Sequence, residues 1–163
     1  AEVRWNLMVE LGELELNGER LPAQIWLNDA AKARWRVERL VLQPQSDGRW
    51  GLVVHGLDSG EAITPQSQSR LLAQQQQRLL NLLPELLQAL PVISAALEQA
   101  TPLGVMRWGA SRPLNNPLPP ELQWCPTSGV GFCGDWIEGP GFGRAQGAIL
   151  SGVNLAEQLH ADR

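Results

Sequence analysis

Apolar and polar residues alternate at the start of the chain, and residues 2–16 put Val3, Trp5, Leu7 and Val9 on one face. A period of two marks a half-buried strand, so one or two strands are expected here. Asn17-Gly18 follows. Both residue types tolerate positive φ and fit a type I′ hairpin loop. Leu21 to Leu27, containing Trp26, then reads as the return strand. Asn28 to Arg34 is polar and Ala-rich, a loop or a short helical turn. Alternation resumes over residues 35–43 through Trp35 and Val37 and, less cleanly, Leu40 and Leu42. Beyond the turn signal Ser46-Asp47-Gly48, Trp50 to His55 is the clearest strand of this half. Strands joined by short polar turns predict an antiparallel sheet.

The period then becomes helical. Thr64-Pro65 supplies an N-cap and a proline at the first helical position, and leucines recur from Leu71 to Leu90. The broad stripe predicts a helix over 66–90 with one face on the sheet. Gln74 to Gln77 should lie mainly on its wet side, and Pro84 should kink or divide it. Pro91 starts a second helix to about Ala100, Leu103 to Trp108 is a strand closed by Gly109, and the Pro-rich residues 111–120 form an irregular connection. After Trp124-Cys125 and a turn at 126–129, Val130 to Cys133 is the last strand. A helix from about Arg144 to His160 carries Gly147, Ala148, Ser151 and Gly152 on one side. The fold class is therefore α+β: an antiparallel sheet packed by Leu-rich helices over residues 1–120, then a strand-turn-helix segment over 121–163.

The turn before the last helix holds the most suggestive chemistry. Gly134-Asp135-Trp136 ends an apolar strand, and a glycine-rich stretch leads through Gly143-Arg144 into Ala145, Gln146 and Gly147. Glycine permits close backbone approach to a ligand, and a helix N-terminus offers unpaired N–H groups and partial positive charge. A carboxylate at Asp135 could accept bonds from ligand hydroxyls, or could simply form the turn.

These residues carry a resemblance. Gly134-Asp135-Trp136, then Gly143-Arg144, Gly147-Ala148, Ser151-Gly152 and Ala156, resembles the C-terminal FAD-binding segment of flavin-containing amine oxidases, above all their renalase-like branch. The resemblance is specific after residue 100 and loose before it. It implies that Asp135 binds ribose or ribityl hydroxyls, that Gly134, Gly143, Arg144, Ala145, Gln146 and Gly147 bring backbone against FAD, and that residues 1–120 are the substrate-binding part. It places Arg107-Trp108 near an aromatic substrate pocket, where Trp108 could line the flavin and Arg107 pair with an anion; core Trp and surface Arg are the alternative. His55 could face substrate and handle protons, or be a satisfied structural histidine. His160 reads as a solvated tail residue.

The family's N-terminal βαβ unit with G-x-G-x-x-G, which grips the pyrophosphate, does not occur early in this chain. A chain opening with Ala on strand-like sequence is expected to be an excised portion of a longer protein, needing a separate N-terminal dinucleotide-binding half as partner. FAD should bind weakly or not at all to this chain alone, and the exposed last strand and helix could self-associate. The rival reading is a non-enzymatic binding module whose glycine turn only packs a helix.

Composition narrows the partners. A net charge of −4 and a single lysine, Lys32, argue against a nucleic-acid surface. No apolar run spans a bilayer and no signal-peptide pattern opens the chain, so no membrane partner and a cytoplasmic location are expected. Cys125 and Cys133 lack CxxC spacing and read as reduced thiols, and the two histidines show no metal-ligand spacing.

Overall fold

The structure, a computed structural model, describes residues 2–114 and 116–161. Two compact units emerge, Val3–Trp108 and residues 109–161 with Glu2. The division falls earlier than the expected 120/121 boundary because Leu118 belongs with the C-terminal segment. Its N–H donates to the Trp136 carbonyl at 3.0 Å, and its carbonyl accepts from the Glu138 N–H at 2.9 Å.

The chain runs β1 (Glu2–Glu13), β2 (Gln24–Trp26), α1 (Asp29–Trp35), β3 (Val37–Pro44), β4 (Arg49–Leu57), α2 (Gln68–Leu86), α3 (Pro91–Ala96), a 3-10 turn (Leu97–Gln99) and β5 (Thr101–Arg112), the first unit ending at Trp108 within β5. The five strands form one sheet in the order β2-β3-β4-β1-β5. The pairs β1–β4, β3–β4 and β2–β3 are antiparallel. With the helices, this makes the chain α+β.

The expected β1–β2 hairpin does not form. Asn17 and Gly18 do turn, with φ of 46° and 86°, but β4 and β5 occupy both edges of β1. The return strand shrinks to Gln24–Trp26 and pairs with β3 instead. The uneven alternation of β3 also has a cause. Register shifts between Val37 and Arg39, and the bulge lets Val37, Leu40 and Leu42 all face inward despite their spacing. Trp35 lies outside this strand. It ends α1, whose Asn28 cap accepts from the Ala31 N–H at 2.9 Å and whose left-handed Arg36 stops the helix.

The helix start falls later than the sequence predicts: α2 begins at Gln68 with Ser67 as its N-cap, so Pro65 is not its first helical residue. Thr64 closes a turn ahead of it, its hydroxyl accepting from the Ser67 N–H at 3.2 Å while the Ser67 hydroxyl accepts from the Thr64 N–H at 3.0 Å. Pro84 divides nothing; α2 continues to Leu86, and the proline sits in its last turn. Gln75 departs from the expected wet side and is buried. It lies four residues from both Leu71 and Leu79, so the buried stripe passes through it. Its carbonyl accepts from Arg78 Nε at 2.8 Å, and Arg78 Nη1 donates to the Trp35 carbonyl at 2.9 Å.

The core lies between α2, α3 and one sheet face, built from Trp5, Leu7 and Val9 on β1, Leu40 and Leu42 on β3, and Leu52 and Val54 on β4, against Leu71, Leu79, Leu83 and Ile93. Each fully buried side chain of this size stabilises by about 1.5–3 kcal/mol. The opposite sheet face carries no helix residue of that core. β5 runs past Gly109, where the sequence closes it, to Arg112.

The second unit is built differently. Trp124–Cys125 (β6) pairs antiparallel with Val130–Gly131 (β7), giving a two-stranded hairpin shorter than the expected Val130–Cys133 strand. Helix α4 covers Ala145–Ala161. Among its described residues only Ile137 is a buried hydrophobic, and the interior is held by polar groups. Gln123 Nε2 donates to the Phe132 and Ser151 carbonyls, both at 3.0 Å. The Ser151 hydroxyl accepts from the Gly134 N–H at 2.8 Å. Removing the hydroxyl strands a shielded N–H, so Ser151→Ala should cost about 1–3 kcal/mol, read as faster amide exchange at Gly134 and along α4. Cys125 and Cys133 are free and exposed, and no helix among the described residues is long and apolar enough to cross a membrane.

Candidate functional site

Strand alternation divides the candidate residues between the two sheet faces. Leu52, Val54 and Gly56 of β4 point to the helices, so His55 points away from them. Cross-strand register sets His55 opposite Arg39 on β3 and opposite Asn6 on β1. Arg39 is in turn opposite Trp26 on β2, and its guanidinium carbon lies 4.7 Å from the centre of that ring. A row Trp26–Arg39–His55–Asn6 therefore crosses four strands on the face opposite the core helices. None of Asn6, Arg39 and Trp26 is legible as a site residue in the sequence, because register and bulge decide what stands beside His55. The missing signal is pairing partner, not residue type.

Arg107 and Trp108 are neighbours in sequence but fall on opposite faces. Arg107 lies 5.8 Å from the ring centre of the buried Trp5 on the helix-covered side. Trp108, 49% exposed, alternates with it and joins the His55 face. The structure thus brings Trp108 and His55 to one surface and leaves Arg107 out of it.

His55 is half-buried, and its pKa is lowered, first by burial and then by the positive charge of Arg39; Glu38 opposes this and Arg4 adds to it. A depressed folded value means the unfolded chain binds the proton more readily. Stability contributed here is present above the ordinary histidine value of 6.5 and is lost as pH falls through the lowered folded value. Urea midpoints should therefore fall more steeply below pH about 6.5 for the wild type than for His55→Gln. Parallel pH profiles would contradict it.

In the second unit the glycine corner is tightly self-packed. A Cβ on Gly141 would stand 2.7 Å from the Gly147 nitrogen, and one on Gly147 would stand 2.7 Å from the Gly141 carbonyl carbon. A Cβ on Gly143 would meet the Arg112 side chain at 3.1 Å, and one on Gly134 would collide with the Trp136 indole. These four glycines are demanded by internal packing, and Gly147 is buried. The Arg144 N–H is also used internally, donating to the Gly141 carbonyl at 2.9 Å.

What remains open is narrower than the seven residues the resemblance implies. The Asp135 main chain is fixed, its carbonyl accepting from the Gly143 N–H at 2.7 Å. Its carboxylate has no partner among the described residues, and neither do the N–H groups of Ala145 and Gln146 at the exposed start of α4. One carboxylate acceptor and two helix-terminal donors are the donor set a flavin's hydroxyls and pyrimidine edge would use. That set fits the group. His160 is exposed on α4. No cluster of three or more His, Cys, Asp or Glu is poised for a metal among the described residues.

A cavity of about 240 Å³ in the first unit is lined by Val9, Leu80, Leu83, Pro84, Leu97, Ala100 and Pro102. It holds no polar side chain to orient a ligand.

No protein-family model matches the chain, and no curated protein matches it.

Proposed function

We propose that this chain is the later part of an FAD-dependent oxidoreductase of the amine-oxidase type, resembling the renalase-like branch, in which Val3–Trp108 is the substrate-binding part and residues 109–161 help hold the flavin. The observation that carries this reading is the corner at Asp135 and α4, where an unpartnered carboxylate and the unpartnered Ala145 and Gln146 N–H groups stand on a backbone fixed by glycine packing. A flavin held there would accept hydride from a small amine or a reduced nicotinamide-type donor and pass the electrons on. Asp135 would bind its hydroxyls, and the start of α4 would stabilise negative charge at its pyrimidine edge. His55 would hold a proton at its imidazole on the sheet face, and Trp108 would give that face an apolar wall. Arg107, on the other face, has no part in contacting substrate.

The scarcity of core in the second unit supports the need for a partner half. Ile149, Val153 and Phe132 are 68%, 50% and 42% exposed; Ile149 and Val153, four residues apart on α4, share one helix face, and exposed apolar side chains of this kind suit an interaction surface. A dinucleotide-binding half carrying G-x-G-x-x-G would cover it and grip the pyrophosphate. Self-association is the competing occupant.

The test is FAD retention in a protein that joins this chain to its dinucleotide-binding half. Asp135→Ala should lower retained flavin at least tenfold, read from the flavin absorption band after gel filtration, while secondary structure stays unchanged. Wild-type retention by the alanine variant would sink the reading and leave the binding-module alternative, in which the corner only packs α4.

A further inference from the structure

We propose that the sheet face opposite the core helices binds a small carboxylate through Arg39, with His55 and Trp26 at its sides. This deepens the function proposed above and rests on it only in calling that carboxylate the substrate's.

Charge on this face is matched except at one point. Arg4 pairs with Glu38 at 3.3 Å. Arg39 has no carboxylate partner among the described residues; its contacts are the neutral Gln24 amide at 3.3 Å and the Trp26 ring. Its Nε is shielded from water and makes no hydrogen bond. Asn6, two strands away in the same row, also has a shielded, unpartnered Oδ1. A half-buried guanidinium with spare donors and no counter-ion is costly unless an anion arrives, because low local dielectric strengthens both the penalty and the pairing.

One unmatched positive charge fits a singly charged carboxylate better than a phosphate, and the planar guanidinium fork matches two carboxylate oxygens. Trp26 holds that fork in place by stacking, at the cost of little rotamer freedom. The neighbouring surface is apolar. Met8 and Val53 occupy the next row on β1 and β4, and strand alternation adds the exposed Met106 and Trp108 of β5. The ligand is therefore a carboxylate on a flat, largely apolar body. Neutral His55 beside Arg39 would gain positive charge more readily once the anion is seated.

Benzoate is the probe, titrated into the intact chain without flavin while the His55 and His160 imidazole resonances are followed by NMR. A saturable shift at His55, with a raised pKa at saturation and an unmoved His160, supports the site. Arg39→Gln should weaken binding at least tenfold, Arg39→Lys should weaken it less, and Arg34→Gln on α1 should leave it unchanged. A shift equal at both histidines, a shift unaffected by Arg39→Gln, or saturation by inorganic phosphate but not benzoate would overturn the proposal. The readout is independent of flavin: FAD retention without benzoate binding removes this inference alone, and benzoate binding without FAD retention removes only the flavin reading.

Discussion

Gly147→Ala is expected to destabilise the second unit by about 3 kcal/mol, whereas Gly152→Ala on the same helix is expected to stabilise it by about 0.5–1 kcal/mol. Helix propensity alone gives both substitutions the same favourable sign. Packing separates them. A Cβ at Gly147 is driven into the Gly141 peptide, with the carbonyl carbon 2.7 Å and the Phe142 nitrogen 3.1 Å away, and these are backbone atoms that cannot rotate aside. At Gly152 nothing lies within 4 Å. Since Gly141 itself has φ of 80°, it cannot move to an ordinary L-residue conformation without undoing the turn. Amide exchange along α4, which isolates this unit from the first, gives the measurement; equal effects from both variants would show that the corner is not close-packed.

Trp5→Ala should be the most damaging change in the first unit, costing about 3–5 kcal/mol. Trp5 is fully buried in the middle of the core, and its carbonyl oxygen would lie 2.9 Å from a Cβ on Gly56, so strand and side chain are both enclosed. Its indole Nε1 has no hydrogen-bond partner. Trp5→Phe therefore removes an unsatisfied donor as well as volume, and should cost distinctly less than its lost area indicates. Urea unfolding followed by far-UV circular dichroism would test the pair; a Phe variant as unstable as the Ala variant would show that indole shape, not burial, dominates.

The two substitutions also show where sequence reading succeeds. Trp5, Leu7 and Val9 share a face because side chains alternate along any strand, and that needs no knowledge of partners. The Pro91 helix start and α4 follow likewise from local rules. Gln75 is a failure of residue type against position: its amide reads as wet, yet Leu71 and Leu79 at four-residue spacing place it inside, where Arg78 satisfies it. The failed hairpin at Asn17-Gly18 has another origin. A turn sequence specifies the turn, and competition for the edges of β1 decides which strand pairs there.

The candidate site divides in the same way. Asp135, the glycines and the α4 start are contiguous in sequence, so their chemistry is visible before any fold, and His55 is visible as a lone titratable group on a strand. Tertiary structure decides what each can do. Packing assigns Gly134, Gly143 and Gly147 to internal contacts and leaves Asp135, Ala145 and Gln146 open. Register brings Arg39, Trp26 and Asn6 to His55 and sends Arg107 to the other face from Trp108. Local periodicity and glycine conformation are properties of a few adjacent residues, so the sequence by itself determines them. Which side chains meet across strands depends on register and bulges, set by the whole core, and only the folded sheet decides it.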